Sequence, residues 1–320
     1  MTTPRTPRFI QRHVADTAAD RAEIEAGLLA PVAHAAPKYF YDRLGSHLFE
    51  AITELPEYYP TRTEAAIFAA HGTEMAQQVG TGATLVDLGA GNCVKAARLF
   101  PLLEPARYVA VDISVEFLHD ALKRVQRENP PLDVVGLGLD FSTHLALDAD
   151  ILLGRAAFFY PGSSIGNFTP AEALVFLKRL RAQAHGGGLL IGVDLVKPRA
   201  ILEAAYDDAL GVTSAFNLNL LRQLNRLIGS DFRPEDWRHV GLFNDAASRI
   251  EMHLEARRDV QVRWPGAERA FRAGERMHTE NSCKYTVEGF TALLIEAGFA
   301  APTCWTDERG WYAVFWAGAT

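Results

Sequence analysis

From Thr84 onward, short apolar runs alternate with longer segments of helical spacing. Thr84–Leu88, Tyr108–Val111, Leu132–Leu137, Ala156–Tyr160 and Gly188–Val193 carry few charges and predict strands buried on both faces. Val94–Phe100, Val115–Glu128 and Ala171–Ala184 predict the helices between them. Such alternation predicts a parallel, doubly wound α/β sheet. Gly186-Gly187-Gly188 closes one helix and opens the next strand. Further on, Thr286–Ala297 predicts a helix that stops at Gly298. Two aromatic-rich runs, Pro302–Thr306 and Trp311–Trp316, then flank Asp307-Glu308-Arg309-Gly310 as a hairpin.

Two regions break the alternation. Lys197–Ile228 reads as one long helical stretch, and Arg249–Arg257, Gln261–Trp264 and Glu275–Tyr285 read as antiparallel strands. Before Thr84, Met1–Val14 has no apolar core of its own and predicts a loosely docked tail. Ala15–Leu29 has helical spacing, and Pro37–Ile52 is rich in aromatic residues. In Leu55-Pro56-Glu57-Tyr58-Tyr59-Pro60-Thr61-Arg62-Thr63-Glu64 two prolines bracket a tyrosine pair, which predicts a rigid loop before a helix Glu64–Val79. A parallel sheet finished by an antiparallel hairpin resembles the Rossmann-like class I S-adenosylmethionine-dependent methyltransferase fold. The expected division is therefore 63–196 with 286–320 as a cofactor domain, and 1–62 with 197–285 as a second, smaller α+β substrate domain.

Composition narrows the partners. The chain has 320 residues, 48% hydrophobic, and a formal net charge of −7. Polyanions are bound by clustered Lys and Arg, so nucleic acid is disfavoured and a small-molecule substrate is expected. Its 3 cysteines, Cys93, Cys283 and Cys304, form no CxxC pair, which points to reduced thiols and a cytoplasmic setting. No apolar run reaches the roughly 20 residues of a membrane span. The histidines form no HxxxH or HxH cluster, so no metal site is expected.

The candidate chemistry begins at Asp87-Leu88-Gly89-Ala90-Gly91. A glycine turn after a strand lets the backbone approach a nucleoside. An acidic residue about 20 positions on, here Asp112, accepts its ribose hydroxyls. The third glycine of the dinucleotide fingerprint is absent, because position 94 is Val. A pyrophosphate needs that close helix approach; S-adenosylmethionine, which has no phosphate, does not. On this reading Asp87 holds the ammonium of the cofactor, directly or through water. Asp140 offers its carboxylate to the adenine amino group, Phe141 offers its face to the ring, and Lys95 lies within reach.

On the substrate side, Tyr58, Asn167 and Tyr206 make a donor set suited to a carboxylate. Gly162-Ser163-Ser164-Ile165-Gly166-Asn167 follows the fourth strand, where open α/β sheets bind ligands. Glu280 and Ser282 lie two apart on an expected strand and so share a face. A carboxylate and a hydroxyl together can hold both nitrogens of an imidazole, with Met252 packing over the ring.

At these residues the chain closely resembles the histidine-specific methyltransferases of ergothioneine biosynthesis, from about Lys38 to the C-terminus. The resemblance is dense at Tyr39-Phe40-Tyr41-Asp42, the Leu55–Glu64 block, Gly162–Asn167, Tyr206-Asp207-Asp208, Arg249-Ile250-Glu251-Met252 and Glu280-Asn281-Ser282-Cys283-Lys284. It implies that Tyr58, Asn167 and Tyr206 hold the carboxylate of L-histidine, and that Tyr41, Phe49 and Gly162 shape the pocket around its α-amino group. Glu280 and Ser282 would grip the imidazole near Met252. Gly89, Lys95, Asp112, Asp140 and Phe141 would serve S-adenosylmethionine, and Tyr41 and Tyr58 stand as the catalytic candidates. The expected substrates are L-histidine and its mono- and dimethyl forms, and the product trimethylhistidine (hercynine), made by a monomer without nucleic acid, membrane or metal. Where relatives often carry small hydroxyl residues after the glycine turn, this chain has Asn92-Cys93. N-methylation of another small amino compound is the alternative.

Overall fold

The computed structural model describes residues 5–12, 17–142, 145, 147–148 and 150–319. The outer parts of the expected N-terminal tail and the first residues of the helix expected from Ala15 lie outside the described residues. The chain forms two compact units: Met1–His13, Pro60–Val196 and Lys284–Thr320 make the first, and Val14–Tyr59 with Lys197–Cys283 the second. The strands, numbered along the chain, are β1 Arg8–Gln11, β2 Thr84–Leu88, β3 Arg107–Asp112, β4 Asp133–Gly138, β5 Ala156–Tyr160 and β6 Gly188–Asp194. They continue as β7 Trp237–Asn244, β8 Arg249–Ala256, β9 Val260–Trp264, β10 Ala267–Phe271, β11 Arg276–Cys283, β12 Thr303–Thr306 and β13 Tyr312–Gly318.

The first unit is built on an 8-stranded sheet of order β1-β4-β3-β2-β5-β6-β13-β12. The strands from β1 to β6 pair in parallel. The hairpin β12–β13 closes the edge in the antiparallel sense, β13 lying against β6. β2, β5 and β6 are buried along their whole length, as a sheet covered by helices on both faces requires. Val86, Val109, Val135, Phe158 and Ile191 pack on one face with Phe176, Leu180, Phe290 and Leu294. Leu85, Tyr108, Val134 and Phe159 pack on the other with Ile67, Met75, Leu118 and Val125. The strand order reverses between β2 and β5, and the carboxyl ends of strands at such a switch point form the binding crevice of open α/β sheets.

The N-terminus departs from the expected tail and from its place in the substrate domain. Arg8–Gln11 pairs with β4 and belongs to the first unit. Glycines in β4 make room for it: a Cβ on Gly136 would lie 2.7 Å from the Phe9 ring, and one on Gly138 2.6 Å from the Gln11 amide. Arg12 pairs with Asp148, and Arg8 with Asp150 at 3.6 Å. The expected helix Val94–Phe100 is two short turns, Val94–Ala97 and Phe100–Leu103. Pro101 explains the break, because its ring clashes with the carbonyl four residues back in a continuous helix. The expected loop around the tyrosine pair ends earlier than predicted. A helix runs Tyr59–Val79 with Pro60 in its first turn, where a missing N–H costs nothing.

The second unit has a 3-stranded antiparallel sheet of order β11-β8-β7 and the hairpin β9–β10. The expected single helix over Lys197–Ile228 is two, Arg199–Tyr206 and Val212–Ile228. Asp208 interrupts it by accepting hydrogen bonds from Val212 N at 3.0 Å and Thr213 N at 2.7 Å, the orphan donors that open the second helix. Those backbone bonds hold the Asp208 carboxyl below its usual range, against the opposing effect of burial. The second helix buries Phe216, Asn217, Leu220, Leu221 and Leu224, and so carries much of this unit's core. Among the described residues, no helix is long and apolar enough to cross a membrane.

Candidate active site

In the first unit the glycine turn follows β2. Gly89 and Gly91 have φ of 69° and 50°, a region that costs a side chain steric strain. Gly91 N donates to Asp112 Oδ2 at 2.8 Å, and Ser114 N donates to Asp112 Oδ1 at 2.8 Å. Both carboxylate oxygens at the end of β3 are thus aimed by the backbone, and each keeps acceptor capacity. Burial raises the Asp112 pKa, with those N–H groups opposing. Phe141 stands beside the turn: a Cβ on Gly89 would lie 3.7 Å from its Cζ. Its ring meets Tyr160 edge-on at 5.8 Å and Phe176 at 6.0 Å, which fixes its plane. Asp140, next to it, accepts from Ser142 N at 3.0 Å and from the Ser142 hydroxyl.

Asp87 is only 2% exposed and accepts from the Tyr108 hydroxyl at 2.7 Å. Burial pushes its carboxyl up to about 7; the Tyr108 bond opposes this, and the nearby Asp112 adds to it. Cys93 is buried with φ 61°, and burial pushes its thiol up to about 12. It therefore packs as a neutral small residue behind the turn.

The Tyr-Tyr-Pro-Thr-Arg-Thr-Glu block contributes a residue to which sequence reasoning gave no role. Glu64 is 1% exposed and accepts from Lys95 Nζ at 2.6 Å, Gly162 N at 2.7 Å and the Tyr312 hydroxyl at 2.8 Å. It ties the helix Tyr59–Val79 to the glycine-turn segment, the turn after β5, and β13. Lys95 is engaged with this carboxylate, and a Cβ on Gly162 would lie 3.3 Å from its Nζ. Gly162 and Ser163 have φ of 78° and 59°, and Ser163 Oγ accepts from Asp194 N at 2.8 Å. This turn leads into the short 3-10 helix Ser164–Asn167, which leaves Asn167 half-buried at its end.

In the second unit the expected substrate residues form a chain of contacts. Tyr41 meets Phe49 at 5.8 Å, Phe49 meets Tyr58 at 6.3 Å, and Tyr58 meets Tyr206 at 6.3 Å, all edge-on. Phe216, which no motif signalled, stacks on Phe40 at 4.6 Å and touches both Tyr41 and Phe49. Asp42 caps the helix Arg43–Thr53 by accepting from Gly45 N at 2.7 Å, and this sets where Phe49 falls. The hydroxyls of Tyr206 and Ser282 hydrogen-bond at 2.7 Å. The expected carboxylate set is divided between the units: Tyr58 and Tyr206 pack together in the second, and Asn167 belongs to the first.

Glu280 and Ser282 reach their face through a bulge. Met277 pairs with Leu254 and His278 with His253, but Glu280 pairs with Met252 and Ser282 with Ile250. The extra residue is Thr279, whose hydroxyl donates to Met252 O at 3.0 Å. A bulge shifts the two-residue alternation by one. Glu280 and Ser282 therefore share the buried face of Met277, Met252 and Ile250, and are 8% and 4% exposed. Among the described residues, no group of three or more His, Cys, Asp or Glu side chains is arranged to hold a metal ion.

A family described as histidine-specific, SAM-dependent methyltransferase matches residues 20–319. A histidine N-alpha-methyltransferase of Mycolicibacterium smegmatis is 41% identical over 92% of this chain and 94% of its own length. One of Mycobacterium tuberculosis is 40% identical over 91% of this chain and 92% of its own. Ergothioneine biosynthesis protein 1 of Neurospora crassa is 33% identical over 83% of this chain but 31% of its own length. The chain belongs to the family of histidine-specific, S-adenosylmethionine-dependent methyltransferases.

Proposed function

We propose that the chain transfers methyl groups from S-adenosylmethionine to the α-amino nitrogen of L-histidine, three times, giving trimethylhistidine (hercynine) for ergothioneine biosynthesis. The observation that carries this reading is the bulge at Thr279. It sets a carboxylate and a hydroxyl two residues apart on one buried face, beside Met252 and in contact with Tyr206. A neutral imidazole has one donor and one acceptor nitrogen, and Glu280 with Ser282 offers the complementary pair.

The residues around the glycine turn fit the cofactor. Phe141, beside the turn, offers an aromatic ring to a flat base, and Asp112 keeps acceptor capacity for two ribose hydroxyls. Asp140 would take the adenine amino group and Asp87 the cofactor's ammonium, directly or through water, with Lys95 beside Gly162. S-adenosylmethionine, when bound, supplies an electrophilic sulfonium methyl. The chain's own residues then do the positioning. Tyr58, Tyr206 and Asn167 hold the carboxylate, Glu280 and Ser282 hold the imidazole, and Gly162 leaves room where a side chain would intrude. Fixing both ends of the amino acid aims its amine, and such orientation is worth about 7–11 kcal/mol in well-aligned reactions. Tyr41 and Phe49 present aromatic rings to a nitrogen that becomes permanently cationic, a favourable cation–π setting. Tyr41 and Tyr58 are the proposed catalytic residues. The free thiols of Cys93, Cys283 and Cys304 support a reducing, cytoplasmic setting.

Glu280→Ala tests the assignment. Its histidine KM is expected to rise about 30-fold or more, the cost of a charged hydrogen bond, with S-adenosylmethionine affinity within about twofold of the parent. Unchanged histidine turnover would remove the imidazole role.

A further inference from the structure

Tyr206 ends the helix Arg199–Tyr206, and Asp207 leaves the helical region with φ −145° and ψ 70°. The Tyr206 carbonyl is one of the last four of its helix, the acceptors that side chains commonly satisfy. β7, a strand that the sequence pattern did not reveal, meets it. His239 Nε2 lies 2.7 Å from Tyr206 O, and His239 Nδ1 lies 2.8 Å from Asn217 Nδ2. The carbonyl only accepts and the amide nitrogen only donates, so the neighbours assign the proton to Nε2 and the lone pair to Nδ1. Asn217 Nδ2 also donates to His253 O at 3.1 Å, which fixes the orientation of the amide. His239 is 9% exposed and Asn217 is fully buried. Burial lowers the His239 pKa; the Tyr206 carbonyl, Asp207 and Asp208 oppose this.

Two residues along β7, on the same face, is Gly241. A Cβ there would lie 2.8 Å from Tyr206 O and 3.2 Å from its carbonyl carbon. Gly241 pairs with Met252, and Met252 pairs with Glu280, so one row across the sheet runs from the Tyr206 backbone to the proposed imidazole carboxylate. The helix is held to the same strand a third time, where Phe243 N donates to Glu203 Oε1 at 3.0 Å.

We propose that His239 and Gly241 are positioning residues for histidine recognition: the imidazole clamps the Tyr206 carbonyl, and the missing side chain lets β7 approach it. Together they set the phenol of Tyr206 against Ser282 and Tyr58. The proposal rests on the reading of Tyr206 as a histidine contact. It assigns His239 no contact with substrate.

The test compares His239→Leu, His239→Gln, Gly241→Ala and Tyr206→Phe with the parent, measuring histidine KM, kcat and S-adenosylmethionine Kd. His239→Leu is expected to raise histidine KM about tenfold, the worth of one well-made buried hydrogen bond, and Gly241→Ala to raise it by a similar factor by pushing the Tyr206 carbonyl away, both with cofactor Kd within about twofold. His239→Gln keeps an N–H for the carbonyl and an acceptor for Asn217, and is expected to recover KM to within about threefold of the parent. In a Tyr206→Phe background, His239→Leu is expected to add little, because the two act through one group. Unchanged KM in both His239→Leu and Gly241→Ala, with Tyr206→Phe still raising it, would overturn the proposal and leave the Tyr206 reading intact. Unchanged KM in Tyr206→Phe would overturn both. Parallel loss of histidine and cofactor affinity in His239→Leu and Gly241→Ala, or a full additive effect in the double variant, would reduce both residues to general packing and overturn the proposal.

Discussion

In the first unit, Asp112 is held by two backbone N–H groups at 2.8 Å each, and the turn beside it depends on glycine φ angles that few other residues adopt. The second unit works through side chains. Tyr41, Phe49, Tyr58 and Tyr206 touch ring to ring, and Tyr206 bonds Ser282 hydroxyl to hydroxyl. A backbone-built site presents the same groups whatever packs around it, and suits a cofactor shared by many enzymes. A side-chain-built site changes its ligand when one residue changes. On the proposed reading, the difference teaches where specificity resides: the carboxylate and hydroxyl at 280 and 282 are readily replaced, and the turn at 89–91 is not.

Substitutions in each unit break or sharpen this contrast. The largest effect is expected from Asp112→Ala, which removes the proposed ribose acceptor and takes away the carboxylate that Gly91 N and Ser114 N donate to. Two charged hydrogen bonds at about 1.5 kcal/mol each predict an S-adenosylmethionine Kd about 100-fold weaker by calorimetric titration. A Kd within threefold of the parent would remove the ribose role. Next is Ser282→Ala, expected to raise histidine KM about tenfold through loss of one neutral hydrogen bond, with cofactor Kd unchanged. An equal rise in cofactor Kd would show that the two sets of residues are not separable.

The smallest effect concerns stability. Burial pushes the Asp87 carboxyl up from its ordinary value of 3.8 to about 7. Between those values the folded state binds more protons than the unfolded chain, so stability falls as pH rises through the window and levels off above about 7. Asp87→Asn stays neutral and keeps an acceptor for the Tyr108 hydroxyl. Its melting temperature is expected to exceed the parent's by a few degrees at pH 8, with the difference vanishing near pH 4. A constant difference across that range would contradict the assignment.

The contrast also explains what the sequence could reveal. The strand, the glycine turn and Asp112 were legible because the interacting groups are neighbours along the chain or on adjacent strands. Even there, the pairing of β1 with β4 has no local signal, since Gly136 and Gly138 make room for residues far away in sequence. In the second unit the residue types were legible from the family resemblance, but their arrangement was not. The bulge at Thr279 leaves no hydrophobic signature, and Asp208 divides a helical pattern that reads as continuous. Phe216 and His239 sit in ordinary amphipathic segments, and only tertiary packing brings them to Tyr41 and Tyr206. Glu64 lay within a recognised block, yet its three hydrogen-bond donors come from three distant segments.

The central claim is that this chain trimethylates the α-amino group of histidine. It is tested most directly by incubating the pure protein with S-adenosylmethionine and each of the common amino acids in turn, and weighing the products by mass spectrometry. The account predicts a product carrying three added methyl groups from L-histidine alone. Three methyl groups gained by another amino acid, or none gained by histidine, would contradict it.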